Sequence, residues 1–489
     1  MNHDILIIGG GINGTAIARE AALLGCKVLL VEKGDLASAT SSASTKLIHG
    51  GLRYLEYYEF RLVREALKER ERLIRAAPHL IRPMRFALPH AHAVRPWWLV
   101  RLGLLLYDSI GGRISLPRSR GWRADDADLR APLKDGRTQD GRTRGFVYSD
   151  AWVDDARLVV LNAIDAADQG AEIATRTALV SARRVGDRWE AQLSDGRQVS
   201  ARAIVNTAGP WVAEALRLTG ANAKAGVRLI KGSHIIVPRL FEGDHAYMLQ
   251  QPDRRIVFAI PYHRAFTLIG TTDIPVERPE QAGIEQSEID YLRGAANLYF
   301  NRQIGPDDIV STYSGVRSLY DDGASEARAV TRDYVLDLDA AGPPILSVFG
   351  GKITTARHLA EQAMAKLGDA IALDVHPVTR ARVFPGGYIG HFGDFLADIR
   401  TRFPFLGVAR SERMARAYGS LLYDMLGEAK DEAALGEDFG AGLTACEVGW
   451  LTSREWARTA EDIMWRRTKL GLIASAATIA RLEAYLAGA

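Results

Sequence analysis

Apolar residues open the chain as a run, continue in a helical rhythm and return as a second run. Asp4-Ile5-Leu6-Ile7-Ile8 is too short for a helix and lacks the alternation of a half-exposed strand, which predicts a strand buried on both faces. Thr15 to Gly25 has helical composition and ends in a glycine stop. Lys27-Val28-Leu29-Leu30-Val31 predicts a second buried strand, with Glu32 at its carboxyl end. Between the first strand and the helix lies Gly9-Gly10-Gly11-Ile12-Asn13-Gly14.

Farther along, Glu56 to Ala77 carries Phe60, Val63, Leu67, Leu73 and Ile74 among many charges, a surface helix that Pro78 stops. A helix is expected over Asp154 to Gln169. Strands follow at Ala178–Val180, Trp189–Leu193 and Val199–Val205, with Gly186-Asp187 and Asp195-Gly196 as hairpin turns. Further strands are predicted at Arg228–Ile230, His234–Val237, Ile256–Ile260 and Phe266–Ile269, and a helix at Ser287–Phe300. Pro344 to Phe349 reads as another buried strand, leading through Gly350-Gly351 into a helix from Ala356 to Leu367. Beyond about residue 385 the pattern is helical and charged. Residues 39–54, crowded with hydroxyls and small side chains, read as loop, as does the polar, glycine-rich stretch 134–145.

The first forty-nine residues therefore set a glycine-rich turn between strand and helix. Gly9 allows the tight turn, Gly11 lets a pyrophosphate approach the backbone, and Gly14 lets helix and strand pack closely. The helix N-terminus supplies free N–H groups and partial positive charge to phosphates. Glu32, eighteen residues after Gly14, suits a ribose diol and repels a 2′-phosphate, which disfavours NADP. The β-meander ending in Asn206-Thr207-Ala208-Gly209-Pro210-Trp211 shifts the expected cofactor from NAD to FAD.

Composition changes little in this picture. With 489 residues, 47% hydrophobic and 25% charged, the chain has room for two or three domains. A net charge of +3 implies no global field for nucleic acid. Cys26 and Cys446 form neither a disulfide framework nor a metal-ligand spacing, so no metal is expected and a reducing compartment is. The glycine motif begins so early that no signal peptide is expected before it, and no apolar stretch reaches the roughly 20 residues of a membrane span.

Taken together, GGGINGTA, ATSSASTKLIHGGLRYLEYYEF, SDAWVDDARL, NTAGPWV, RLIKGSHIIVP, IGTTD, TYSGVR, SVFGGKITT and TAEDIMWRRTKLGL resemble the FAD-dependent glycerol-3-phosphate dehydrogenases of the bacterial respiratory type, across nearly the whole chain. The resemblance implies an α/β fold with a Rossmann-like FAD-binding domain of the D-amino-acid-oxidase type. That domain is expected to be discontinuous, over residues 1–79, 148–225 and 312–372. A β-rich substrate domain occupies 80–147 and 226–311, and a helical domain 385–489. Ser318 stands where the family usually has proline, and the loop 134–145 is longer than usual.

By the same resemblance, the activity is oxidation of sn-glycerol 3-phosphate to dihydroxyacetone phosphate, with electrons passed to a membrane quinone. Arg53, Arg317 and Lys352 cradle the phosphate dianion, with Tyr54, Thr271 and His49 nearby; Arg317, His49 and Lys352 are the candidate catalytic residues. His49 is the candidate proton acceptor. The FAD wall is placed on Gly9, Gly11, Ile12, Asn13, Gly14 and Glu32. It continues over Thr40, Ser41, Ser42, Ser44, Lys46, Leu47 and His49, then Ala178, Gly209 and Trp211, and finally Gly351, Lys352 and Thr354. No nucleic-acid partner is expected, and a homodimer is a candidate assembly.

One segment has its own signature. Between Arg82 and Arg123 there are eight arginines, no lysine or glutamate and a single aspartate, Asp108. Inside it, Pro96 to Tyr107 would form a helix about 16 Å long, roughly half a bilayer core. Its aromatics and the flanking Arg82, Arg85, Arg95, Arg113, Arg118 and Arg120 favour a monotopic anchor on an anionic, cytoplasmic-facing inner-membrane surface over a buried core helix. Two other readings compete with the quinone-linked dehydrogenase: a soluble oxidase that uses oxygen, and a non-catalytic, membrane-associated flavin sensor.

Overall fold

The computed structural model describes residues 2–93, 95–112, 114–134, 144–221, 226–321 and 333–488. Two sheets and a helical domain build it, with the first sheet laid out around the opening strand. Asn2–Ile8 lies between Gln198–Asn206 and Val28–Glu32; Ile345–Phe349 and Glu172–Thr175 flank these, all five parallel. Val335–Asp339 closes one edge antiparallel. The hairpin Leu179–Val185/Arg188–Leu193 joins beside Gln198–Asn206 with the turn at Gly186-Asp187 that the sequence predicts.

Burial explains the apolar runs. Ile5 and Ile7 enter one core with Ile17, Val159 and Leu359, beneath the helices Ile12–Leu23, Asp155–Asp168 and Ala356–Ile371. Leu6 and Ile8 enter a second core on the opposite face with Trp189, Val212 and Phe349. A strand with helices on one side and a meander on the other has no polar face to show.

The second sheet runs in the order Ile274–Val276, Gly226–Pro238, Phe266–Gly270, Ile256–Tyr262, Ala246–Gln250, Ile81–Pro89, Gly145–Val153, Leu47–Ile48. Ser311–Asp321 pairs with Gly226–Pro238 along its whole length, setting Ile230 opposite Arg317 and Gly232 opposite Gly315. These pairings correct three expectations. The boundaries at 148 and 312 do not separate the sheets, because Gly145–Val153 and Ser311–Asp321 both belong to the second one. Residues 39–54 are not wholly loop: Leu47 and Ile48 pair with Trp152 and Ala151, and Leu52–Tyr57 forms a short 3₁₀ turn before the helix Phe60–Ala76. The two strands expected at 228–230 and 234–237 are one, Gly226–Pro238. Lys231 interrupts the apolar pattern there, yet it is buried, with its ammonium 2.8 Å from Glu288 and 3.0 Å from Glu285. Strands Glu172–Thr175, Ala246–Gln250 and Ile274–Val276 go beyond those predicted. Most of the predicted loop 134–145 lies outside the described residues.

The C-terminal domain packs Phe392–Arg402, Gly407–Tyr418, Leu421–Leu426, Ala445–Arg454 and Ala476–Gly488 around Ile399, Met414, Tyr418, Leu451 and Leu482. It also carries a small hairpin, Asp438–Gly440 with Leu443–Thr444, that a purely helical reading omits. Buried ion pairs dock it on the first domain: Arg157 with Glu455, and Arg467 with Asp35.

The arginine-rich segment does form a helix, Trp97–Ile110. Leu104, Tyr107 and Asp108 are buried, while Trp98 is 66%, Leu102 55% and Leu105 46% exposed. Trp97 is not part of that outer face; its ring stacks on Phe146 with centroids 3.8 Å apart. The arginine collar is also smaller than expected. Arg82 lies over the Trp152 ring, Arg85 donates to Ser149 Oγ and Pro117 O, and Arg120 forks onto Asp126. Arg118 is exposed, and Arg95 reaches Glu56 at 2.9 Å; Arg113 lies outside the described residues. Among the described residues, no helix is long and apolar enough to cross a membrane.

Candidate active site

The carboxyl ends of the parallel strands and one face of the second sheet enclose a cavity of about 610 Å³. Its floor is the glycine turn. Gly9 has φ +109°, and a Cβ there would meet Thr207 O at 2.6 Å. A Cβ on Gly14 would lie 2.0 Å from Gly9 O, so Gly14 serves helix–strand packing and does not line the cavity. At Gly11 the nearest neighbour of such a Cβ is Ser41 Oγ at 3.0 Å, which leaves the backbone open to a ligand.

Glu32 anchors the next wall. Its carboxylate accepts the backbone N–H of Gly10 and that of Gly34, each at 2.7 Å, so one side chain ties the glycine turn to the loop after the second strand. Burial, the largest influence, raises its pKa above the usual carboxylate range against these two hydrogen bonds. Ser41 Oγ accepts Ile12 N at 3.0 Å, and Thr40 donates to Val316 O at 2.6 Å, so the loop joins the helix N-terminus to the second sheet. Asn13 donates to Gly350 O at 3.1 Å, while its Oδ1 is buried at the cavity without a partner.

Most of the expected residues meet here. Gly9, Gly11, Ile12, Asn13, Glu32, Thr40, Ser41, Ser44, Leu47, His49, Tyr54, Ala178, Gly209, Trp211, Thr271, Arg317, Gly351, Lys352 and Thr354 all line the cavity. Four do not. Gly14 packs. Ser42 turns its hydroxyl to Ala39 O. Lys46 is buried behind the wall and donates to Asp155 at 2.8 Å and to Ser42 O at 3.0 Å. Asp155 also accepts both the N–H and the hydroxyl of Ser44, so this buried pair braces the loop from outside. Arg53 sits one residue from Tyr54 on the same turn without lining the cavity.

The far wall is cationic. Arg317 donates to Thr272 O at 3.2 Å and pairs with Asp273, which also lines the cavity. A Cβ on Gly232 would come within 2.7 Å of Thr271 Oγ1 and 3.1 Å of Arg317 Nη2, so only glycine leaves these groups room. Lys352 holds its ammonium 4.2 Å from the Tyr54 ring centroid. Two imidazoles complete the chamber. Burial lowers the pKa of His49, with Lys352 and Arg70 adding to the effect and Asp150 opposing it. Burial likewise brings His234 down to about 3, helped by Lys46 and Arg317. Both rings are therefore neutral at pH 7, and His234 is the much weaker base.

His234 was within reach of sequence reasoning. Ile230, Gly232 and His234 stand two apart on one strand, and all three line the cavity. Period-two alternation finds them once the strand is known to run unbroken. The ring stacks on Tyr313 at 4.7 Å, and its Nε2 lies 3.0 Å from Thr45 Oγ1.

A dinucleotide cradle opening into a cationic chamber with neutral imidazoles under a second sheet defines a nucleotide-cofactor oxidoreductase. Comparison with known proteins narrows the class. Residues 4–357 match the family model described as FAD dependent oxidoreductase, and residues 377–487 match the C-terminal domain of alpha-glycerophosphate oxidase. Glycerol-3-phosphate dehydrogenase of Pseudomonas aeruginosa is 50% identical over 495 residues, covering 99% of this chain and 95% of that protein. D-erythritol 1-phosphate dehydrogenase of Brucella abortus is 50% identical over 476 residues, covering 95% and 94%. The crystal structure of glycerol-3-phosphate dehydrogenase from Bacillus halodurans complexed with FAD superposes with a TM-score of 0.73 at 25% identity, over 96% of this chain and 86% of that one. The chain belongs to the FAD-dependent oxidoreductase family, in the branch of the bacterial glycerol-3-phosphate dehydrogenases.

Proposed function

We propose that the protein oxidises sn-glycerol 3-phosphate to dihydroxyacetone phosphate with FAD and passes the electrons to a membrane quinone. The observation that carries this reading is the pairing of Arg317 and Lys352 on the wall of a cavity whose floor is the dinucleotide cradle. The cradle fits FAD: Gly11 is open, Asn13 Oδ1 lacks a partner, and the helix N-terminus faces the cavity. When bound, FAD supplies the two-electron hydride acceptor. The chain supplies the rest. Arg317 and Lys352 hold the phosphate dianion, Thr271 and Tyr54 shape the wall beside it, and the neutral imidazole of His49 takes the hydroxyl proton as C2 is oxidised.

The outer face of the helix Trp97–Ile110 supports the acceptor. Trp98, Leu99, Leu102, Leu105 and Leu106 offer an exposed apolar helix face to the cytoplasmic leaflet of an inner membrane, and Tyr57, Tyr58 and Phe60 are exposed as well. A soluble, oxygen-using oxidase has no use for such a face, and a sensor has none for two phosphate-binding cations.

A four-carbon polyol phosphate is the second reading of the substrate, since the erythritol 1-phosphate enzyme of Brucella abortus is as similar as the glycerol 3-phosphate enzyme of Pseudomonas aeruginosa. Turnover with a dye acceptor decides: kcat/KM is expected to be higher for glycerol 3-phosphate than for erythritol 1-phosphate. The reverse order would move the assignment to the longer polyol, and no turnover of either would end the dehydrogenase reading.

A further inference from the structure

The turn that carries His49 and Tyr54 is held from beneath by a residue of the surface helix. Gly50 N–H donates to the Tyr107 hydroxyl at 2.7 Å. That hydroxyl donates in turn to Asp150, whose two oxygens lie 2.9 and 2.8 Å away. Arg70 closes the set by donating to Asp150 Oδ1 at 2.7 Å. All of these side chains are buried, and burial, the largest influence, keeps the Tyr107 phenol far above its ordinary pKa, so it remains a donor to the carboxylate.

The fit leaves little slack. A Cβ on Gly50 would lie 2.6 Å from Leu67 and 2.8 Å from the Tyr107 oxygen, so the backbone rests directly on the phenol. Gly51 follows with φ +74°, and a Cβ there would run into the Tyr54 ring at 2.3 Å. The turn thus folds the Tyr54 ring back over Gly51. That places the ring where the Lys352 ammonium stands 4.2 Å from its centroid.

We propose that Tyr107, held by Asp150, is a positioning residue for the reaction: it fixes the Gly50-Gly51 turn and so sets Tyr54 against Lys352. The role rests on the reading of Tyr54 and Lys352 as substrate wall given above. Tyr107 touches neither substrate nor cofactor. It also makes the helix with the exposed apolar face a direct support of the cavity, through one hydroxyl.

The test is Tyr107→Phe in the full FAD-loaded chain, which keeps the ring in its packing and removes the hydroxyl. Misplacement of a binding group by about 1 Å costs up to about a hundredfold in rate, and a loosened turn less, so kcat/KM is expected to fall about tenfold, chiefly through KM. Flavin content and absorbance should match the parent. Tyr54→Ala should impair KM by itself, and adding Tyr107→Phe to it should cost nothing more, because the hydroxyl acts through that ring. A parental KM in Tyr107→Phe, or losses that multiply in the double variant, overturns the proposal. If Tyr107→Phe does not fold, Asp150→Asn takes its place, and a parental KM or multiplying losses there overturn the proposal equally. A parental KM in Tyr54→Ala would sink the substrate-wall reading itself; impaired Tyr54→Ala beside parental Tyr107→Phe sinks only the positioning role.

Discussion

Arg467 and Asp35 stand 432 positions apart in sequence and meet in a fork, Nη1 to Oδ2 and Nη2 to Oδ1, both at 2.8 Å. Both side chains are buried. Asp35 follows the loop that Glu32 ties to the glycine turn, so the C-terminal domain grips the cofactor cradle by its outer edge. Breaking a buried pair costs about 3–5 kcal/mol, and Arg466, 2.7 Å from Asp35, offsets part of it. Arg467→Ala is expected to lower the thermal midpoint and to release flavin at a lower temperature than the parent. Flavin fluorescence followed on heating would show both; coincident curves would mean that the domains are coupled elsewhere.

Arg317→Ala should cripple turnover while leaving FAD bound. Loss of a charge-assisted contact to a desolvated dianion costs roughly 2–5 kcal/mol, a drop of about thirty- to several-thousand-fold in kcat/KM at 1.4 kcal/mol per factor of ten. Its ion pair with Asp273 already satisfies part of the guanidinium, so the lower half of that range is expected. Undiminished kcat/KM with glycerol 3-phosphate would rule out Arg317 as a phosphate ligand.

The proton acceptor has a pH signature. Burial depresses the pKa of His49 below its ordinary 6.5, and an acceptor must be neutral to act. kcat/KM is therefore expected to be level above pH 6.5 and to fall as acid protonates the ring. His49→Gln should abolish this limb with FAD retained. A limb that survives the substitution at its original position would disqualify His49. His234, at about 3, titrates too low to produce it.

Changing Trp98, Leu102 and Leu105 to polar residues should release the enzyme from vesicles containing anionic lipid without altering its thermal midpoint. Their side chains are about half or more exposed, so the fold loses little. Dye reduction should persist while quinone reduction on vesicles declines. Trp97 is kept, because it is partly buried and stacks on the core residue Phe146. Sedimentation with vesicles as strong as that of the parent would remove this face as the membrane contact.

Local sequence determined the cradle. The run Ile5–Ile8, the glycines at 9, 11 and 14 and the acid at 32 all lie within one supersecondary unit. Each constraint, a tight turn or a backbone approach, acts between neighbours in the chain. The cavity-lining positions of Arg317, Lys352, Thr271 and Tyr54 were legible through family motifs.

Tertiary structure alone decided the rest. Lys46 and Ser44 sit on one hydroxyl-rich loop and both bond Asp155, more than a hundred residues away, yet only Ser44 lines the cavity. Trp97 and Trp98 are adjacent and chemically identical. One packs against the core and the other faces solvent because a helix turns about 100° per residue and Phe146 stands on only one side. The Gly50–Tyr107–Asp150 chain joins a turn, a helix and a strand far apart in sequence, and no local pattern encodes such a meeting. Composition and periodicity describe what a segment needs to bury; which partner satisfies that need is fixed only when distant strands choose their register.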